Sequence, residues 1–307
     1  PTAAESADPA EEAWRSFGSL FQDDILPTII QNPIMAGQSP LVIIFFALFL
    51  GAALAVGKEA SKPVLDVFQA LDKAFVKIIM WIMTLAPIGV FCLMAVAICE
   101  MGLEVIGSLA WYTFTVAAGL CLHWCFLVFV LLGLILRVSP LRFIRGMAPA
   151  LELAFSTSSS TATLPVTIEC ASERVNVDDD IAGFMLPIGA TINRDGSALY
   201  QAVAAVFLAQ IFGYDLSLIQ QVAIFFMAVA MSIGAAGIPG AAFALLPLVL
   251  EAAGIHLDAA QIGIILGVDR LLDMCRTLIN VTGDSVGTIL VAKTEDALGP
   301  PIEDMPN

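Results

Sequence analysis

Long apolar runs without a single charge alternate with short polar segments along this chain. Three runs are long enough to cross a lipid bilayer as helices, at 40–57, 78–99 and 109–136. Basic residues follow the first run at Lys58 and Lys62 and the third run at 137–145, which predicts that both loops are cytoplasmic. The pattern therefore predicts an all-α, polytopic membrane protein.

Two later apolar stretches are interrupted near their middle by small residues and proline. Residues 146–171 contain "STSSSTAT" and then Pro165, and residues 221–252 contain "GAAGIPGA". Irregular backbone at membrane depth needs protein or a water-filled cavity around it, so each stretch is predicted to be a re-entrant hairpin. An ordinary kinked span is the alternative. Interrupted segments at matching positions of two halves favour a transporter with its site between them.

The last apolar segment, at about 258–293, carries its charged and amide side chains on one face. At 100° per residue, these side chains fall within an arc of about 80°. They are Asp269, Asp273, Arg276, Asn280 and Asp284. Such a stripe cannot face lipid, and its excess of acids over bases favours a cation site over a ladder of charges joining helices. A second charged pair, Arg194 and Asp195, interrupts the apolar segment at about 181–213.

The composition agrees with a membrane protein and excludes some partners. The chain is 59% hydrophobic and only 13% charged, far from a soluble domain. Its net charge of −15 comes mostly from acids in tails and loops, which argues against nucleic acid as a partner. The six cysteines lack the spacing of metal ligands, and no cofactor is expected beyond coupling ions. His123, alone in the third run, is interpreted as a packing residue, with a proton-relay group as the alternative.

Four segments together resemble one known family, the glutamate transporter homologues, which are dicarboxylate/amino acid:cation symporters. They are "STSSSTATLPVT", "LPIGATINRDGSALYQ", "SIGAAGIPGA" and "DRLLDMCRTLINVTGDSVGT". The resemblance implies a fold with two re-entrant hairpins and inverted repeats, a homotrimer and an elevator mechanism. It also implies that the sequence is a fragment that lacks the first three membrane spans.

The resemblance divides the chain into four regions. Residues 1–39 are expected to form an acidic extracytoplasmic loop and the start of the fourth span, and 40–105 the trimerisation scaffold. The transport domain is expected at 106–293, before a cytoplasmic tail at 294–307. It would hold hairpin 1 at about 146–171, the seventh span at about 181–213, hairpin 2 at about 221–252 and the eighth span at about 258–293.

The resemblance also assigns the substrate site. Arg276 matches the arginine that binds a side-chain carboxylate, and a guanidinium fork suits a planar carboxylate. Asp273 matches the receiver of an α-ammonium group, while Ser160 and Asn280 match residues that hold an α-carboxylate. The remaining expected substrate residues are Ser159, Ser197, Thr277, Ile238, Gly240 and Ala242.

The family's cation sites carry over with one departure. The expected ligands or neighbours are Gly189, Thr191, Asn193, Asp195, Ser232, Ile233, Ala235, Asn280 and Asp284. Sodium would be bound by Asp284, Asn280, Asn193 and Asp195. The family has methionine where this chain has Arg194, and a permanent cation there would compete with sodium. We therefore hypothesise that Arg194 replaces a sodium ion. The alternatives are that Arg194 turns toward a water-filled gap and leaves sodium binding intact, or that Arg194 or Arg270 fills a role that an arginine elsewhere has in relatives.

These features predict a secondary active transporter of aspartate or glutamate in the inner (plasma) membrane, not an enzyme. Its partners would be the acidic amino acid, a coupling cation (sodium or protons), the bilayer and two further copies of the chain. A proton-coupled carrier of C4-dicarboxylates is one alternative. A neutral amino acid exchanger is disfavoured by Arg276, and an intramembrane aspartyl protease using Asp195 and Asp284 is the alternative from another class.

Overall fold

The computed structural model of the protein describes residues 40–300, and within that range it contains helices and one isolated β-bridge. The helices are α1 Pro40–Val56, α2 Lys62–Met83, α3 Ala86–Met101, α4 Glu104–Cys125, α5 Pro140–Thr157, α6 Ser160–Glu169, α7 Asp179–Ile192, α8 Asp195–Ile211, α9 Leu218–Gly234, α10 Ala241–Ala244, α11 Leu246–Glu251, α12 Ala259–Gly263 and α13 Leu266–Thr294. The predicted all-α class is confirmed for these residues. The expected loop at 1–39 and residues 301–307 of the expected tail lie outside the described range.

The predicted membrane runs differ from the helices in their bounds. The third run belongs to one continuous helix, because π-helical residues Phe126–Ile135 extend α4. This segment, 104–135, is the one helix between residues 40 and 300 with both the length and the apolar character of a span. The first run is the 17-residue helix α1. The second run is not one helix, because α2 ends at Met83 and Pro87 lies in the first turn of α3.

Helix α13 lies at the centre of the fold, where it contacts α3, α4, α5, α6, α7 and α8. The polar stripe predicted from its sequence is buried, and its five residues are between 0% and 7% exposed. Charged groups at such a position need partners, because an unpaired buried charge is strongly unfavourable. Those partners come from α13 itself and from the elements packed around it.

The first hairpin consists of α5 and α6, which meet at Ser158 and Ser159. Ser158 has φ of 54°, a left-handed conformation that ends α5. Ser159 is extended, and its hydroxyl accepts a hydrogen bond from the Ala162 amide, so it caps the N-terminus of α6. The hairpin begins at Pro140 and continues through a π-helical turn to Arg174, so it is longer than the predicted 146–171.

The predicted seventh span is two helices rather than one. Helix α7 ends at Ile192, Asn193 has an extended conformation, and α8 begins at Asp195. Two hydrogen bonds to α13 stabilise this break. The side-chain amide of Asn193 donates to Asp284 Oδ1 at 3.0 Å, and the backbone amide of Gly196 donates to Asn280 Oδ1 at 2.9 Å. Contacts with a distant helix therefore replace the local hydrogen bonds that a continuous helix would have made.

The second hairpin consists of α9, an irregular tip at 235–240, and the short helices α10 and α11. A capping box formed by Ser217 and Gln220 begins α9. The backbone becomes extended at Ala235, and Gly240 adopts φ of 78° before α10, a conformation that favours glycine. Helix α9 packs against α8 and contacts α7, which brings this tip to the break between α7 and α8.

The base of the first hairpin is tied to the segment that follows α13. Arg142 donates hydrogen bonds to the carbonyl of Val175 and to those of Gly299 and Pro300. Val177 also forms an isolated antiparallel bridge with Leu298. These bonds fix the first hairpin relative to the central helix.

Candidate functional site

Arg276 is fully buried on α13 and is held by two carboxylates. Its Nη1 lies 2.7 Å from Asp269 Oδ1, and its Nη2 lies 2.7 Å from Asp273 Oδ1. The guanidinium carbon also lies 3.7 Å from the centre of the Tyr200 ring on α8, a cation–π contact. Its Nε has no hydrogen-bond acceptor among residues 40–300. The group is therefore an oriented guanidinium that uses two of its five N–H donors in these bonds.

The tips of the two hairpins meet beside this arginine. Asp273 uses its second oxygen, Oδ2, to accept a hydrogen bond from the Gly240 amide at 2.9 Å. Ser159 donates its hydroxyl to the Gly237 carbonyl at 2.6 Å and so joins the first hairpin to the second. These two bonds hold the tip of the second hairpin against α13 and against the first hairpin.

The other expected substrate residues lie around the same junction, although they differ in their contacts. Asn280 donates to the Ser197 hydroxyl at 3.2 Å, which links α13 to the first turn of α8. Ser160 is buried, and its hydroxyl has no partner among the described residues. Thr277 donates its hydroxyl to the Asp273 carbonyl within its own helix. In the second hairpin, Ile238 precedes Gly240 in the tip, and the Ala242 carbonyl accepts from Gln201.

Three of the expected cation residues form a compact polar cluster. The side-chain amide of Asn193 donates a hydrogen bond to Asp284. A Cβ added at Gly283 would lie 2.6 Å from Asn193 Nδ2 and 2.8 Å from Asp195 Oδ2, so both side chains lie against this glycine. An added Cβ at Gly189 would lie 2.9 Å from Asp284 Oδ1. The two glycines therefore permit the close approach of these carboxylates and the amide. Asn280, the fourth residue expected to bind sodium, contacts the same break through the Gly196 amide.

His123 belongs to this cluster, so its interpretation as a packing residue is wrong. Its Nε2 lies 2.7 Å from Asp195 Oδ2, which joins α4 to the start of α8. The signal in the sequence was a lone ionisable side chain in an otherwise uncharged span, a feature that is commonly functional. Asp269 and Tyr200 are the other contacts of the site that were not assigned from the sequence, although Asp269 was placed on the polar stripe.

The remaining expected cation residues lie where α7 and α9 end. Thr191 donates its hydroxyl to Pro187, and Ser232 donates to Val229, so both hydroxyls bond within their own helices. Ile233 and Ala235 lie at the end of α9, where the last carbonyls of a helix are free to accept. Polar contacts at this point would therefore come from backbone carbonyls.

Arg194 enters this region from the break between α7 and α8. The residue is only 7% exposed, and its Nη2 donates to the Ala190 carbonyl in the last turn of α7 at 2.7 Å. An added Cβ at Gly237 would lie 2.7 Å from the same Nη2, so the guanidinium also reaches the tip of the second hairpin. Arg270, the other arginine considered, is exposed. Arg194 is thus the buried one of the two.

Comparison with known proteins places the chain in a family. The sequence model of the sodium:dicarboxylate symporter family matches residues 3–294. The chain belongs to this family. It is 45% identical over 258 residues to mouse excitatory amino acid transporter 3 and 43% identical over 258 residues to the human protein of that name, covering 84% of this chain in each case. It is 42% identical over 257 residues to excitatory amino acid transporter 1 of Ambystoma tigrinum, covering 83% of this chain.

The chain spans about half the length of these curated relatives, since the matches cover 49%, 49% and 47% of them. The resemblance drawn from the four motifs is confirmed. The family and the relatives are named as symporters and transporters rather than enzymes, which leaves the protease interpretation of Asp195 and Asp284 without support.

Proposed function

We propose that the protein is a secondary active transporter of the acidic amino acids aspartate and glutamate. The observation that carries this proposal is the buried pair of Arg276 and Asp273 at the point where both hairpin tips meet. A guanidinium and a carboxylate in one enclosed site suit a ligand with both a carboxylate and an ammonium group. The names of the relatives, excitatory amino acid transporters, support the same substrates.

Each group has a role in this proposal. Arg276 binds the side-chain carboxylate with N–H donors that its two ion pairs do not use, while Asp269 and Tyr200 keep the guanidinium oriented. Asp273 receives the ammonium group and also bonds to Gly240, so ammonium binding and closure of the second hairpin depend on the same carboxylate. A neutral amino acid would bring no carboxylate to the N–H donors of Arg276 that Asp269 and Asp273 leave free.

Transport by an elevator movement within a homotrimer, in a cell's inner (plasma) membrane, is part of the proposal and is supported by family membership. In it the elements around α13 move as one body relative to the scaffold formed by α1 to α3. Large apolar side chains exposed on these scaffold helices, such as Trp81 and Phe91, support contact with lipid or with other copies of the chain.

We further propose that Arg194 replaces a coupling sodium ion. Its guanidinium donates to a carbonyl at the end of α7 and lies beside the second hairpin, a place where a cation is favoured by helix C-terminal carbonyls. Two unit charges 4 Å apart interact by about 4 kcal/mol at an effective dielectric of 20. A tethered cation would therefore compete strongly with sodium and weaken the sodium dependence of substrate binding.

Uptake of radiolabelled L-aspartate, L-glutamate and succinate into proteoliposomes would test the substrate. Saturable uptake of the two amino acids, lost in Arg276→Met but kept in Arg145→Met, is expected; Arg145 is an exposed arginine on α5 and serves as the matched control. Uptake of succinate without uptake of either amino acid would replace this proposal with the dicarboxylate alternative.

Aspartate affinity measured with and without sodium, in the wild type and in Arg194→Met, would test the coupling ion. Weak sodium dependence in the wild type and steep dependence in the variant are expected. If the wild type already requires sodium as strongly as the variant does, Arg194 does not replace the ion.

A further inference from the structure

A cavity of about 860 Å³ lies between the second hairpin, α13 and the junction of α2 and α3. Its walls are mostly apolar, with Ile79 and Val90 on the side of α2 and α3 and Phe243 on the side of the hairpin. The cavity also touches Gly240 and Asp273, whose hydrogen bond holds the hairpin tip against α13. Its size is typical of sites that hold small molecules, and it reaches the carboxylate that is proposed to receive the substrate's ammonium group.

Arg270 is exposed, lines this cavity and is not held in an ion pair. It precedes Asp273 by three residues, so both lie on one side of α13. Among the side chains described between residues 40 and 300, no carboxylate lies within 4.0 Å of its guanidinium. The two buried arginines differ from it, since Arg276 is paired with two carboxylates and the charge of Arg194 is offset by Asp284 and Asp273. The charge of Arg270 is therefore available to a mobile anion in the cavity.

The other charges at this wall would repel an acidic substrate. Asp269 and Asp273 both pair with Arg276, and these three side chains together carry one excess negative charge. Within the part of the chain that the structure describes, Arg270 is the remaining charged residue that lines the cavity, and it brings the total to zero. An acidic amino acid carries one net negative charge at neutral pH, so without Arg270 it would approach a negatively charged wall.

We propose that Arg270 is a steering residue, which attracts acidic amino acids into this cavity and so determines part of the substrate specificity. The inference rests on the proposed function, in which Arg276 and Asp273 bind the substrate. Because Arg270 is exposed, its field is screened by salt, and it acts on the rate of association rather than on the bound complex. A neutral amino acid gains nothing from this charge, so the residue favours acidic over neutral substrates.

Association and dissociation rate constants of radiolabelled L-aspartate, measured by rapid mixing and filtration with the purified full-length protein, would test this role. The variants are Arg270→Gln and Arg270→Glu, which remove and reverse the charge, and Arg270→Lys, which keeps it. Ionic strength is varied with choline chloride while sodium is held constant, so that no coupling ion changes with the salt. Arg145→Gln is the matched control, because it removes an exposed arginine about 18 Å along α5 from the tip of the first hairpin.

At low ionic strength, the association rate constant is expected to fall roughly 3- to 10-fold in Arg270→Gln and further in Arg270→Glu, the effect of one charge on an anion a few ångströms away in a watery cavity. The dissociation rate constant should stay within about twofold of the wild type in all variants, and Arg270→Lys and Arg145→Gln should match the wild type in both rate constants. The difference between the wild type and Arg270→Gln should nearly vanish at about 1 M salt, where the Debye length is about 3 Å.

An association rate constant that is unchanged in Arg270→Gln, or lowered equally in Arg145→Gln, would overturn the inference. A change confined to dissociation, or one that persists in high salt, would also overturn it, because Arg270 would then act on the bound complex or on the fold. Failure of the wild type to bind L-aspartate at all would refute the proposed function itself, which is a separate result. Thermal unfolding would establish that each variant is folded.

Discussion

A single methyl group at Gly237 is predicted to separate the tips of the two hairpins. In Gly237→Ala, the new Cβ would lie 2.0 Å from Thr161 Oγ1, 2.7 Å from Arg194 Nη2 and 3.1 Å from the Thr161 amide nitrogen. The threonine side chain can rotate away, but the backbone nitrogen of the first hairpin cannot move without separating the two tips. The hydrogen bond between Ser159 and the Gly237 carbonyl would then be lost.

The magnitude follows from these contacts. Overpacking of a close contact costs about 1–3 kcal/mol, and loss of one hydrogen bond costs about 0.5–1.5 kcal/mol. A total of about 2–4 kcal/mol against the closed tips would weaken aspartate binding by roughly 30- to 700-fold, if binding requires closure. Isothermal titration of the purified full-length protein with L-aspartate measures this change directly.

Matched variants make the result decisive. Gly183→Ala on α7 is the control, because an added Cβ there meets nothing within 4 Å, and its affinity should equal that of the wild type. Thr161→Ala combined with Gly237→Ala removes the closest of the three contacts and should recover part of the lost affinity. Wild-type affinity in Gly237→Ala would show that the tips do not meet at this point, and the account of closure given above would be wrong.

Three other substitutions probe the framework of the site. Arg276→Met should abolish aspartate binding and also lower the free energy of unfolding by about 3–5 kcal/mol, because Asp269 and Asp273 would stay buried without their guanidinium; unchanged thermal stability would contradict this pairing. Gly196→Ala would place a Cβ 2.8 Å from the Arg276 carbonyl oxygen and should lower the free energy of unfolding by about 1–3 kcal/mol in denaturant unfolding. Unchanged stability would show that α8 and α13 can separate freely at this contact. Arg142→Ala removes the bonds to the carbonyls of residues 299 and 300, so limited proteolysis should cut the C-terminal segment faster, and an unchanged rate would mean that these bonds do not hold it.

Much of the fold was predictable because it depends on local patterns. The polar stripe of α13 follows from helical periodicity, and all five of its residues are buried. The small residues and prolines at 156–165 and 234–241 indicated interruptions, and helices do end and begin there. The second predicted membrane run was not one helix, because Pro87 and its neighbours permit a new helix start that hydropathy does not register.

The break within the predicted seventh span was not visible in the sequence. Asn193 and Arg194 are polar, but an apolar segment with two polar residues also fits a continuous helix. The decisive contacts come from α13, which lies about 90 residues further along the chain at Asp284 and Asn280. Local propensity does not contain contacts of that separation.

The sequence by itself determined the helical class, the polar stripe, the two interrupted segments and the family, because each rests on neighbouring residues or on motifs. Only the tertiary structure decided which ionisable groups meet: His123 with Asp195, Asp269 with Arg276, and Arg194 with the junction of the hairpin tips. The physical reason is that a buried charge is stabilised by whichever partner packing brings within a few ångströms, and helices distant in sequence supply most of those partners.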